Sequence, residues 1–186
     1  LDYMDSCDDD VEKAEVFSKV QPVVNHLNSI LDELVESLQV RQDAEVESSI
    51  IDLKDTIEKV LIGFKAQICE YKVKINTDFE EATTIYYPQL YIESILTNLI
   101  SNALKYKSPD RILSIEIKTI NDEDGVILSV TDNGLGIDLN LHKNNLFKIR
   151  KVFHKHPDAR GFGLFMTKTQ VEAMGGKIWV DSIPDV

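Results

Sequence analysis

Basic residues are in deficit in this 186-residue chain: Lys and Arg total 20 against 32 Asp and Glu, a net charge of −12. That sign is wrong for a protein that coats phosphate backbones, so nucleic acid is excluded as the main partner. Cysteine is nearly absent. Cys7 and Cys69 are too far apart in sequence for a metal or redox pair and too few for a disulfide framework, which reads as an intracellular protein. No apolar run approaches the ~18 to 20 residues that span a bilayer, and no signal peptide is evident. The opening LDYMD without an initiator Met, and the ending IPDV after a strand-like run, suggest a piece of something longer.

What is present is ordinary for a folded chain: 43% hydrophobic and 28% charged residues, with no internal repeat or low-complexity tract. From Val16 apolar residues recur at Val20, Val23, Leu27, Ile30, Leu34 and Leu38, and Phe17, Val24 and Leu31 widen the stripe. That width suits a helix bundle, with Pro22 marking a start or a kink. The stripe has no partner of equal length here, which implies a second chain or a missing helix. The polar RQDAEVESS then sets a domain boundary near residues 42 to 50, giving domains over 1–45 and 46–186.

Asp52 is placed to cap a second helix that carries Leu53, Ile57, Val60, Leu61, Phe64 and Ile68 on one face. KVKINTDF and TTIYY read as strands, and residues 89 to 106 as a third helix. ILSIEIKTI and GVILSVTD read as two strands joined by the hairpin signal NDEDG. Residues 139 to 160 form a long loop of the lid type. GFGLFMTKTQVEAM is a helix that stops at Gly175 and Gly176, and KIWVDS is a final strand. Helices and antiparallel strands in this order indicate an α+β two-layer sandwich with an N-terminal bundle helix.

Two stretches are odd. TDNGLGID sets a carboxylate and two glycines at the end of a strand, which suits either a ligand meeting bare backbone or a plain hairpin loop. The third helix contains NLISNALKY, and its Ile92, Ile95, Leu96, Leu99 and Ala103 make the core face. Asn98 and Asn102 fall one turn apart beside it, with Lys105 and Tyr106 a turn further on. Asn is a poor helix-interior residue. Either both are solvated or bonded to a nearby loop, or a carboxamide oxygen coordinates a hard cation, with the Lys on phosphate and the Tyr against a base. Glycine tips the balance. Six of the eight glycines fall in three pairs, and Gly161 and Gly163 at a helix start would let backbone N–H groups approach an anion.

The ordered set NLISNALKY, DNGLGI, LFKIRKVFH and GFGLFMTKTQVEAMGGKIWVDS resembles the N box, first glycine box, F box and second glycine box of sensor histidine kinases, most closely bacterial ones that contain PAS domains. The resemblance runs from about residue 18 to the end. It implies the Bergerat ATP-binding fold of the GHKL superfamily, with ATP and Mg2+ as cofactors. By it, Asn102 is the magnesium ligand, Asn98 its neighbour, Lys105 a phosphate contact and Tyr106 a wall of the adenine pocket. Asp132 accepts a hydrogen bond from the adenine amino group while Gly134 and Gly136 clear room for the nucleotide. Ile137, Phe153, Arg160, Gly161, Gly163 and Leu164 complete the nucleotide set.

The resemblance also implies a reaction type. ATPases of the superfamily usually carry Glu at the position of Asn98 to activate water, so Asn98 favours transfer to a protein histidine over hydrolysis. An ATPase of the same fold, or a degenerate nucleotide-binding module, are the alternatives. Partners would be a response-regulator receiver domain and a second copy through the helical bundle of the full-length protein. The location would be cytoplasmic for this piece, whether or not the full-length protein reaches a membrane.

Departures are Ala159 in place of a lid Gly, followed by Arg160, and the absence of the phosphoacceptor motif. His26, in NHLNSI, lacks the acidic neighbour and reads as a bundle residue. His154 and His156 read as lid residues, and Glu93 and Glu172 as solvated charges.

Overall fold

The computed structural model describes residues 20, 22–24, 26, 46–149, 151, 153 and 161–184. The chain divides into two units, Leu1–Val46 and Glu47–Val186. In the first, Val20, residues 22–24 and His26 are helical and exposed, so helix stands on both sides of Pro22. The rest of the apolar stripe lies outside the described residues.

The second unit opens with β1 (Ser49–Asp52), a strand the sequence reading did not anticipate because it falls in the polar boundary stretch. It forms through pairing with β3 (Thr84–Tyr87), antiparallel, with Ile51 opposite Ile85. Asp52 ends β1 and caps α1 (Leu53–Gly63) as expected, its side chain accepting from the Asp55 N–H at 3.0 Å. The expected face is cut at Phe64, where the chain turns into the short α2 (Lys65–Glu70).

The main sheet runs β2 (Lys74–Asp78), β4 (Ser114–Asp122), β5 (Gly125–Asp132). The β4–β5 hairpin is antiparallel and tight, with Asp122 opposite Gly125 and two residues between them. The β2–β4 pair is parallel, which corrects the expectation of antiparallel strands throughout. The physical reason is the crossover: β3 and α3 (Gln89–Lys105) intervene and return the chain to the same end of the sheet.

Alternation along β4 buries Ile115, Ile117 and Thr119 on one face. There they meet Leu53, Ile57 and Val60 of α1 and Ile92, Leu96, Ile100, Ala103 and Leu104 of α3. Each fully buried Leu or Ile contributes about 1.5–3 kcal/mol. Lys118 points to the other face, where it pairs with Asp78 at 3.1 Å near solvent. One face covered by helices and one wet face make the expected two-layer sandwich. The core face of α3 is rotated slightly from the expected one: Ile100 and Leu104 are buried and Leu99 is half-buried.

Beyond β5 come the one-turn α4 (Leu139–His142) and α5 (Gly163–Ala173). The N–H groups of Gly175 and Gly176 return to the carbonyls of Glu172 and Val171, both at 3.0 Å, and close α5 as expected. KIWVDS, expected as a final strand, pairs with no strand among the described residues. It keeps a period of two, with Ile178 and Val180 half-buried and Trp179 exposed. It is held at Ser182, whose hydroxyl accepts from the Ile137 N–H of the loop after β5, instead of by a ladder. No helix among the described residues is long and apolar enough to cross a membrane.

Candidate functional site

The apolar face of α3 is committed to the core, which turns Asn98 and Asn102 toward α5. The Asn98 Nδ2 donates to the Thr167 hydroxyl at 2.7 Å, and Thr167 is 1% exposed. The Asn102 Nδ2 points at the Asn98 Oδ1 at 3.4 Å, a weak bond. The Asn102 Oδ1 has no protein partner among the described residues. One carboxamide is thus a packing group and the other keeps an oxygen for something else. At the end of the helix the Lys105 ammonium lies 6.0 Å from the Tyr106 ring centre, and partial burial pushes the Tyr106 phenol pKa up.

The loop after β5 closes on that same helix end. Ile115 and Asp132 form the last pair of the β4–β5 ladder. Asn133 then adds side-chain bonds to its backbone bond with the Ser114 carbonyl: its Oδ1 accepts from the Ser114 N–H at 2.8 Å and its Nδ2 donates to the Ile112 carbonyl at 3.0 Å. Asp132 Oδ1 accepts from the Gly134 N–H at 2.8 Å, and the Leu135 N–H donates to the Tyr106 carbonyl at 2.9 Å. Gly136 has φ +65°, and a Cβ there would stand 2.2 Å from the Ile183 carbonyl oxygen. The next N–H, of Ile137, donates to the Ser182 hydroxyl at 2.8 Å.

At the other end of the strip α5 begins against Asn98. A Cβ on Gly163 would stand 1.9 Å from the Asn98 Oδ1, so only glycine permits this approach. Gly161 and Leu164 flank it and are half-buried. A cleft of about 520 Å3 opens between α3 and α5, with Ser94, Thr97 and Ser101 on one wall and Met166 on the other. In the intervening lid, Asp138 caps α4 and Leu146 is buried. The Lys168 ammonium of α5 lies 5.6 Å from the Phe147 ring centre.

Asn98 and Gly163 therefore gather at one end, and Tyr106, Asp132, Gly134, Gly136 and Ile137 at the other, about 12 Å apart along α3, with Asn102 between them. Phe153 meets His142 in a tilted ring contact, with centroids 5.0 Å apart and 50° between the planes. Arg160 lies outside the described residues, with Ala159, His154 and His156. Three contributors escaped the sequence reading: Thr167, Asn133 and Ser182. Each is a small polar residue whose role rests on a partner at least 19 residues away, and no local pattern marks it.

Residues 88–186, over half of the chain, match the family described as histidine kinase-, DNA gyrase B- and HSP90-like ATPase. The chain belongs to this family. Among curated relatives, the sensor protein RprX of Bacteroides fragilis is 30% identical over 161 residues, 81% of this chain and 30% of its own length. The histidine protein kinase SaeS of Staphylococcus aureus is 23% identical over 181 residues, 95% of this chain and 52% of its own. The chain thus spans about a third to a half of the length of these relatives. The Acinetobacter baumannii histidine kinase AdeS shares the fold, with a TM-score of 0.67 at 24% identity, covering 91% of this chain and 78% of that one. Residues 88–186 thus belong to an ATP-binding catalytic domain of the histidine-kinase kind, and the strip of α3 between its two glycine motifs is the candidate nucleotide site.

Proposed function

We propose that this domain binds ATP with magnesium and presents the γ-phosphoryl group to a histidine on a dimerisation bundle, for passage to an aspartate of a response-regulator receiver domain. Residues 1–45 would contribute one helix of that bundle, and two copies of the full-length protein would pair through it. The observation that carries this reading is the state of Asn98. Its amide is bonded to Thr167, its oxygen abuts Gly163, and a carboxamide has no basicity with which to activate water. The nearby carboxylate of Glu93 accepts from the Gln89 amide at 2.5 Å. A site built this way holds ATP and hydrolyses it slowly.

The residues present fit both groups. Magnesium takes hard oxygen ligands, keeps several waters and needs only one or two oxygens from protein, which matches the single carboxamide oxygen of Asn102. It would supply neutralisation of phosphate charge. Lys105 would bind phosphate oxygens and Tyr106 would lie against the base. Asp132, with Oδ1 held by the Gly134 N–H, would accept from the exocyclic amine of adenine. Guanine offers a carbonyl there, and an acceptor facing an acceptor is penalised. Catalysis by the domain is then positioning and charge neutralisation.

Calorimetric titration with ATP and GTP, each with and without magnesium, tests the binding half, and ATP is expected to bind preferentially and with magnesium dependence. Incubation with labelled ATP and a separately supplied histidine-bearing bundle tests the transfer half. An acid-labile, base-stable label on the bundle is expected; rapid release of phosphate with no label would favour an ATPase instead.

A further inference from the structure

We infer that Arg111, in the loop between α3 and β4, is a positioning residue for the base end of this site. The inference rests on the nucleotide reading above. Arg111 donates from Nε to the Asn133 carbonyl and from Nη2 to the Gly134 carbonyl, both at 2.5 Å. A guanidinium presents these donors in a rigid planar fork, so two successive carbonyls are fixed together.

The consequence follows from the planarity of the peptide unit. The Asn133 carbonyl belongs to the same peptide as the Gly134 N–H, and that N–H holds Asp132 Oδ1 at 2.8 Å. The Gly134 carbonyl belongs to the same peptide as the Leu135 N–H, and that N–H holds the Tyr106 carbonyl at 2.9 Å. Arg111 therefore grips the oxygen ends of the two peptides whose nitrogen ends orient Asp132 and the end of α3. Its positive charge also polarises both units and strengthens both N–H donors. Asn102 meets this linkage only through its backbone, its carbonyl accepting from the Tyr106 N–H at 2.9 Å, and its side-chain oxygen is not part of it.

The test uses the whole chain with Arg111→Gln and Arg111→Lys, titrated with ATP and GTP with and without magnesium. Arg111→Gln should weaken ATP about tenfold and reduce the ATP-over-GTP preference by a similar factor. The gain in affinity on adding magnesium should be unchanged. Arg111→Lys, which keeps the charge and can reach one carbonyl, should fall between. A merely structural role would leave the ATP/GTP ratio unmoved or lower the magnesium gain in parallel, and either result overturns the inference. If Arg111→Gln does not fold, Arg111→Lys decides: wild-type discrimination in it overturns the inference. A wild-type chain that binds neither nucleotide overturns the site reading and this inference together, whereas wild-type binding with unaltered variants overturns this inference alone.

Discussion

Replacing Gly163 by Ala tests whether the close approach of α5 to α3 is what sets the phosphate end of the site. The added Cβ would lie 1.9 Å from the Asn98 Oδ1 and 2.7 Å from its Cγ, so one of the two must move. The easier motion is rotation of the Asn98 side chain. That rotation breaks its 2.7 Å bond to Thr167, whose hydroxyl is buried with no access to water. Leaving such a group unsatisfied costs about 1–3 kcal/mol. Gly to Ala in a helix returns up to ~1 kcal/mol, and less at the first helical residue. The net expectation is a loss of about 1–2 kcal/mol, read as a lower urea midpoint by circular dichroism. Asn98→Ala removes both the obstruction and the bond, so in that background Gly163→Ala should cost nothing or stabilise slightly. A coupling energy of about 1 kcal/mol or more should result. If Gly163→Ala matches wild type and the double-mutant cycle is additive within ~0.5 kcal/mol, the packing account is wrong.

Asp132→Asn should weaken ATP by about ten- to a hundred-fold in calorimetry, and wild-type affinity in the folded variant would remove Asp132 from the base site. Asn102→Ala should abolish the magnesium-dependent part of ATP binding and spare the magnesium-free part; magnesium dependence that survives intact would place the ligand elsewhere. Tyr87, whose hydroxyl donates to the Gln170 carbonyl, has its phenol pKa pushed by burial from 10.0 to about 12. Between these values the unfolded chain releases the proton first, so stability falls as pH rises through that window, by at most ~2 kcal/mol after screening. Urea midpoints measured against pH should show this alkaline limb in wild type and a shallower one in Tyr87→Phe, where Tyr106 keeps its own contribution; a limb unchanged in the variant would assign it to other groups.

Features written in local chemistry were legible before the fold was known. Asp52 sits one residue ahead of an apolar stripe and caps it, and Gly175 and Gly176 end the last helix through bonds spanning three to five residues. What depends on distant partners was not. β1 is four residues long and exists through its pairing with β3, some 35 residues later. The parallel β2–β4 pair depends on where the crossover sets the chain down. KIWVDS carries the alternation of a strand, but alternation records which side faces the protein and not whether a ladder partner is within reach. The two asparagines show the same limit within the site. Their register on one face of α3 was visible and the resemblance gave them different roles, but the bond that fixes the Asn98 side chain was not visible, because it turns on Thr167 of another helix.

The glycines carry the argument furthest. The sequence suggested that Gly134 and Gly136 clear space for a nucleotide, yet the nearest cause in the structure is the chain's own crowding. Gly136 lies against the Ile183 carbonyl and Gly163 against Asn98. The first two glycine motifs thus admit other segments of the same unit: α3 meets the start of α5 through Gly163, the loop after β5 meets the end of α3 through Leu135, and residues 182–184 meet that loop through Gly136 and Ile137. Segments in mutual van der Waals contact shift together or not at all. A substitution at any one of these contacts should therefore disturb Asp132 or Asn102 even where it touches no ligand, and the ordered spacing of the motifs is what the packing of these four segments requires.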